Sequence, residues 1–229
     1  MAYFTDNGAD QLIAASLCSG DVVVVNRRCE SLPPLSGVLC WLSKFGISGD
    51  GRECWDHAAL VIRDEATDVP YLLEGTSRGV TLRTYEERLM QGGDLAQVTL
   101  HPLVGERDTA ALQTFLREEL KMSKSADGFD AGPGGCPSDR CWNLWSVYRS
   151  HRLGEEPRRV PKHPPAVAAP ATPAAAQACG FGAPLVATAL QRLGVLGPQV
   201  DPASLKPADL PVQRLLGAAK FGPTVTIRR

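Results

Sequence analysis

The stretch WDHAALVIRDEATDVPYLLEGT, residues 55–76, decides the reading of this chain. His57 to Arg63 is an apolar run of strand length. Asp64 to Asp68 is rich in turn-forming residues, and Tyr71 to Glu74 is a second apolar run. Two such runs joined by a short polar segment predict an antiparallel hairpin. His57 opens the first strand and Glu74 closes the second, so the hairpin brings an imidazole beside a carboxylate at one end of a sheet. A carboxylate placed there can fix the tautomer of a histidine base.

Working outward, Ser19-Gly20-Asp21 turns into four valines, Val22 to Val25, which predicts a buried strand. Gly79 to Leu82 extends the sheet. Thr84 and Glu87 have capping-box spacing for a short helix through Leu89. Gln97 to Leu103 is a further strand, and residues 9–18, 35–45 and 108–122 carry helical patterns. Residues 123–140, rich in Gly, Ser, Pro and Asp, read as a loop. Trp142, Leu144, Trp145 and Tyr148 suggest a short aromatic helix. Residues 157–178 are a Pro/Ala-rich segment, expected to be a mobile surface insertion with the capacity to engage a protein partner. A helix over 184–193 follows, with Pro184 at its first position and Gly194 at its end. Residues 202–210 are turn-rich, and Thr224 to Ile227 forms a closing edge strand.

Composition narrows the function classes. The chain has 229 residues, 44% of them apolar and 21% charged, with 24 basic against 25 acidic residues. That is ordinary globular usage and suits a single domain spanning 1–229. A formal net charge of -1 without a basic stripe argues against nucleic acid. The amino-terminal residues lack a signal-peptide pattern, and no stretch is long enough to span a bilayer. Seven cysteines at irregular spacing favour free thiols in a reducing compartment, so a cytoplasmic location is expected. Neither a cofactor nor a metal is expected: Cys136 and Cys141 stand near ligand spacing, but no second Cys/His pair accompanies them. His101, His151 and His163 read as solvent-facing, and Trp41, Trp142 and Trp145 as core or cleft aromatics.

The order SGDVVVV (19–25), WDHAALVIRD (55–64), YLLEGTSRGVTL (71–82), LVATALQRLGVL (185–196) and SLKPADL (204–210) resembles the circularly permuted papain-like amidases of the NlpC type. That resemblance covers residues 19–103 and 181–211. It implies an α+β papain-like fold, permuted, with an antiparallel sheet packed against helices and a cleft between the His57–Glu74 end of the sheet and the start of helix 184–193. It also implies His57 as base, Glu74 as the polar third member, and Trp55, Asp56 and Phe181 lining the cleft. The implied activity is thiol hydrolysis or acyl transfer on a peptide amide or acyl-lipid ester.

The family's nucleophilic cysteine corresponds to Gly182, which has no side chain to attack with. Three readings compete. Cys179, three residues upstream, is the working nucleophile; or Gly182 marks a lost nucleophile, natural or introduced, leaving a pocket that binds without reacting; or Cys141, heading CWNLWSVY, serves instead.

Overall fold

A computed structural model describes residues 7–32, 34, 37–38, 40–41, 55–64, 66–76, 79–120, 122–125, 128–131 and 182–228. Helix α1 (Asn7–Ser16) leads through the Ser19-Gly20 turn into strand β1 (Val22–Arg27). The expected hairpin follows as β2 (His57–Arg63) and β3 (Pro70–Thr76), then β4 (Gly79–Thr84), β5 (Leu95–His101) and the short β6 (Leu103–Val104). Helix α2 (Thr109–Thr114) continues into a π-helical turn over Phe115–Glu119. A hairpin of β7 (Met122–Ser125) and β8 (Gly128–Ala131) comes next. Helix α3 (Ala183–Arg192), two short 3-10 helices, β9 (Lys220–Phe221) and β10 (Val225–Arg228) complete the described chain.

The main sheet is six-stranded in the order β10-β5-β1-β2-β3-β4, and its pairings are antiparallel throughout. The four valines of β1 are at most 2% exposed because β1 is flanked by β2 and β5 and covered on both faces. Val22 and Val24, with Ala58, Leu60 and Ile62 of β2, face a core closed by α3 and the helical turns around Phe115. Val23 and Val25, with Ala59 and Val61, face a second core closed by Leu17, Tyr85 and Leu89. The architecture is therefore α+β, with helical elements on both faces of the sheet. Strands buried on both faces read as continuous apolar runs, which is the pattern of Val22–Val25 and Ala58–Ile62.

Local chemistry fixes the connections. In the β2–β3 turn the Asp64 carboxylate accepts from Ala66 N (3.2 Å) and Thr67 Oγ1 (2.8 Å), and Asp68 adopts a left-handed φ of 59°. The capping box after β4 is present: Glu87 N donates to Thr84 Oγ1 and Thr84 N to a Glu87 carboxylate oxygen, each at 3.2 Å. The turn it starts is π-helical, over Glu86–Met90. Buried Asp21 ties β1 to β6 by accepting from Leu103 N at 2.8 Å. Strand β10 pairs with β5 at the sheet edge, as the closing strand was expected to do.

Candidate functional site

Register brings the imidazole and the carboxylate together. Ala59 lies opposite Glu74 across β2 and β3, so His57, two residues before Ala59, shares Glu74's face of the sheet. His57 Nε2 donates to Glu74 Oε2 at 2.7 Å, with the two side chains 6% and 1% exposed. Such burial requires the carboxylate's remaining lone pairs to be satisfied. Arg88 Nε, from the π-helical turn, donates to Glu74 Oε2 at 3.0 Å, and Arg83 Nη2, from β4, reaches both Glu74 oxygens at 3.2 Å. Arg88 is itself 4% exposed, and its two terminal nitrogens are held by Asp94 at 2.8 and 3.2 Å. The carboxylate is thus the hub of a chain, His57–Glu74–Arg88–Asp94, that is buried as far as Arg88 and partly exposed at Asp94.

Electrostatics follow from this packing. Burial alone would raise the Glu74 carboxyl, but the His57 hydrogen bond, together with the charges of His57, Arg88 and Arg83, holds it down at about 2. It is ionised under all ordinary conditions. Burial is also the largest influence on His57 and lowers its pKa below the usual 6.5. The Glu74 hydrogen bond and charge pull it up, while the Arg27 and Arg88 charges push it down. The imidazole is neutral at physiological pH, with its proton on Nε2 directed at Glu74. Nδ1 is left as an acceptor with no hydrogen-bond partner among the described residues.

The start of α3 lies close to the His57 ring and the Ala58 backbone. Gly182 is the N-cap of this helix, and its carbonyl accepts from Val186 N at 3.1 Å. A Cβ built on Gly182 would lie 3.6 Å from His57 Nδ1 and 3.4 Å from Ala58 N, ordinary contact distances. A side chain at position 182 would therefore meet both the Ala58 backbone and the His57 ring. Its backbone, at φ 67° and ψ -99°, lies in a region that side-chain-bearing L-residues rarely adopt. Compared with protein-family models, with curated proteins and with solved structures, the chain finds no match.

Of the other residues singled out from sequence, Trp55 is half-buried against the α3-side core. Asp56 is committed to strand geometry: it accepts from Arg27 N at 2.8 Å and Arg27 Nε at 2.7 Å, and the Cys40 thiol donates to it at 3.3 Å. His101 is partly buried at the other end of β5, where its ring nitrogen and Thr224 Oγ1 are 3.2 Å apart. Trp41 is 55% exposed. Cys136, Cys141, Trp142, Trp145, His151, His163, the 157–178 segment, Cys179 and Phe181 lie outside the described residues. Among the described residues no cluster of three or more His, Cys, Asp or Glu side chains could hold a metal ion, and no helix is long and apolar enough to cross a membrane.

Arg83, Arg88 and Asp94 were not singled out by sequence. The available signal was indirect: a glutamate buried by its strand needs cations, and the next two elements supply Arg83 and Arg88.

Proposed function

We propose that the chain is a binding module built on the permuted papain-like plan, which keeps the base and its orienting carboxylate but carries no nucleophile at the helix start. The observation that carries this reading is Gly182: a Cβ there would lie 3.6 Å from His57 Nδ1 and 3.4 Å from Ala58 N, and its dihedral angles suit glycine and little else. A cytoplasmic location, a peptide-amide or acyl-lipid ligand and a protein partner engaged through residues 157–178 belong to the same reading. The test is labelling of the full chain by a thiol-reactive amide or ester probe. No cysteine should label in a way that depends on His57. Labelling of Cys179 that disappears in His57→Gln overturns the reading.

The second reading is a thiol hydrolase or acyltransferase acting on an amide or ester through Cys179, His57 and Glu74. It is favoured by the cost of the largely buried Glu74–Arg88–Asp94 chain, which orients an imidazole more strictly than simple binding requires. In that case His57 Nδ1 takes the Cys179 proton, the thiolate attacks the carbonyl carbon, and the leaving amine or alcohol departs with that proton. Water or an acceptor then releases the acyl group.

A further inference from the structure

We propose that Asp94 is a positioning residue for His57: its grip on the end of the Arg88 guanidinium decides how Arg88 holds Glu74, and so how strongly Glu74 holds the imidazole. The inference rests on the reading that the chain keeps a base and its orienting carboxylate. Asp94 ends the turn between the π-helical segment and β5, and its carbonyl accepts from Arg28 N at 2.6 Å, which ties it to the residue just past β1. Its carboxylate takes Arg88 Nη1 at 2.8 Å and Nη2 at 3.2 Å, so both terminal nitrogens are engaged together. Gly92 makes this approach possible. A Cβ there would collide with the Arg88 carbonyl oxygen and stand 3.0 Å from Nη1, so the turn folds against Arg88 only without a side chain.

The consequence lies in which donors reach Glu74. A guanidinium is a rigid fork of five N–H groups, and two of its nitrogens together match both oxygens of a carboxylate. Against Glu74, Arg88 uses Nε alone, at 3.0 Å on Oε2, the oxygen that His57 Nε2 meets at 2.7 Å. Oε1 accepts only from Arg83 Nη2 among the described residues, at 3.2 Å. Glu74 therefore has room for a two-sided hold, and Asp94 prevents it by occupying the terminal nitrogens. With the Asp94 charge removed, a guanidinium that is 4% exposed keeps donors that water does not reach. Turning its Nε–Nη2 edge onto both Glu74 oxygens satisfies them. A carboxylate held by that fork shares less of Oε2 with the imidazole. The His57 hydrogen bond then weakens, although Asp94 reaches the ring only through Arg88.

The full chain, labelled with 15N, is studied at neutral pH as wild type, Asp94→Asn and Asp94→Glu. Asp68→Asn, which breaks the Arg63–Asp68 fork of the β2–β3 turn, serves as a control. The readouts are the chemical shift of the His57 Nε2 proton, its exchange with water, and the shift of the Arg88 Nε proton. In Asp94→Asn the His57 proton should move upfield and exchange at least about tenfold faster, as for a charge-assisted hydrogen bond that loses about half its strength. Asp94→Glu keeps the charge but carries it one methylene further out. It should give a smaller change of the same sign, and it decides the matter if Asp94→Asn does not fold. Asp68→Asn should leave the His57 proton in place. An unchanged His57 proton in the Asp94 variants, or an equal change in Asp68→Asn, overturns the proposal. So does a His57 shift without movement of the Arg88 Nε proton, because the route through Arg88 would then be absent. A wild-type ring with no proton on Nε2 overturns instead the underlying pairing of base and carboxylate.

Discussion

Replacing Glu74 by Gln tests whether its charge, rather than its shape, organises the site. The two side chains have the same size, and a protonated Glu74 is close to Gln in hydrogen-bonding capacity, so the difference between the proteins isolates the carboxylate's ionisation. The folded environment lowers the carboxyl from its ordinary 4.5 to about 2. At about 1.4 kcal/mol per pKa unit, that gap corresponds to about 3 kcal/mol. Because the folded pKa is the lower one, this stabilisation is fully present above the unfolded value of 4.5. It is lost as pH falls towards about 2, where Glu74 protonates in the folded state too. Urea unfolding of wild type and Glu74→Gln at pH 7 and pH 3 measures it. The wild type should be more stable by about 3 kcal/mol at pH 7, and the difference should fall to roughly half or less at pH 3. A difference of equal size at both pH values would refute the reasoning, since a defect independent of ionisation would come from packing.

The arginines that hold Glu74 should differ in importance. Arg88→Met leaves a carboxylate that is 1% exposed with only the partly exposed Arg83 and the imidazole beside it, and should cost about 3 kcal/mol in denaturant unfolding. Arg83→Met, at a side chain 43% exposed, should cost less than about 1 kcal/mol. Equal losses would contradict the ranking by burial. Gly182→Ala should lower stability by about 1–2 kcal/mol, because there is room for a Cβ and the penalty comes from φ 67° alone. A neutral or stabilising result in thermal unfolding would show that this backbone does not require glycine.

Much of the fold was legible because the sequence repeats its message locally. The apolar runs at 57–63 and 71–74, the turn residues between them and the Thr84/Glu87 spacing each specify structure within a few residues. The structure carries β2, β3 and the capping box where they were expected. Pro184 and Gly194 likewise bracket α3, and Gly194 adopts a φ of 73°. The β7–β8 hairpin was missed: its strands, MSKS and GFDA, are short and lack the alternating apolar pattern that reports a half-buried strand. The site was legible in part. His57 and Glu74 could be paired because one hairpin carries both, whereas the approach of Arg88, and of Gly182 across a separation of 125 residues, depends on tertiary packing that no local pattern encodes.

The central claim is that His57 is a neutral imidazole with its proton clamped on Nε2 by Glu74 and its Nδ1 open towards Gly182. Nitrogen-15 spectroscopy of the His57 ring at neutral pH measures this directly. A protonated Nε2 and an unprotonated Nδ1 are expected, a state that persists below pH 6.5 because burial lowers the pKa of the ring. In Glu74→Gln the tautomer preference should weaken. An Nδ1–H tautomer, or a doubly protonated ring at neutral pH in the wild type, would contradict it.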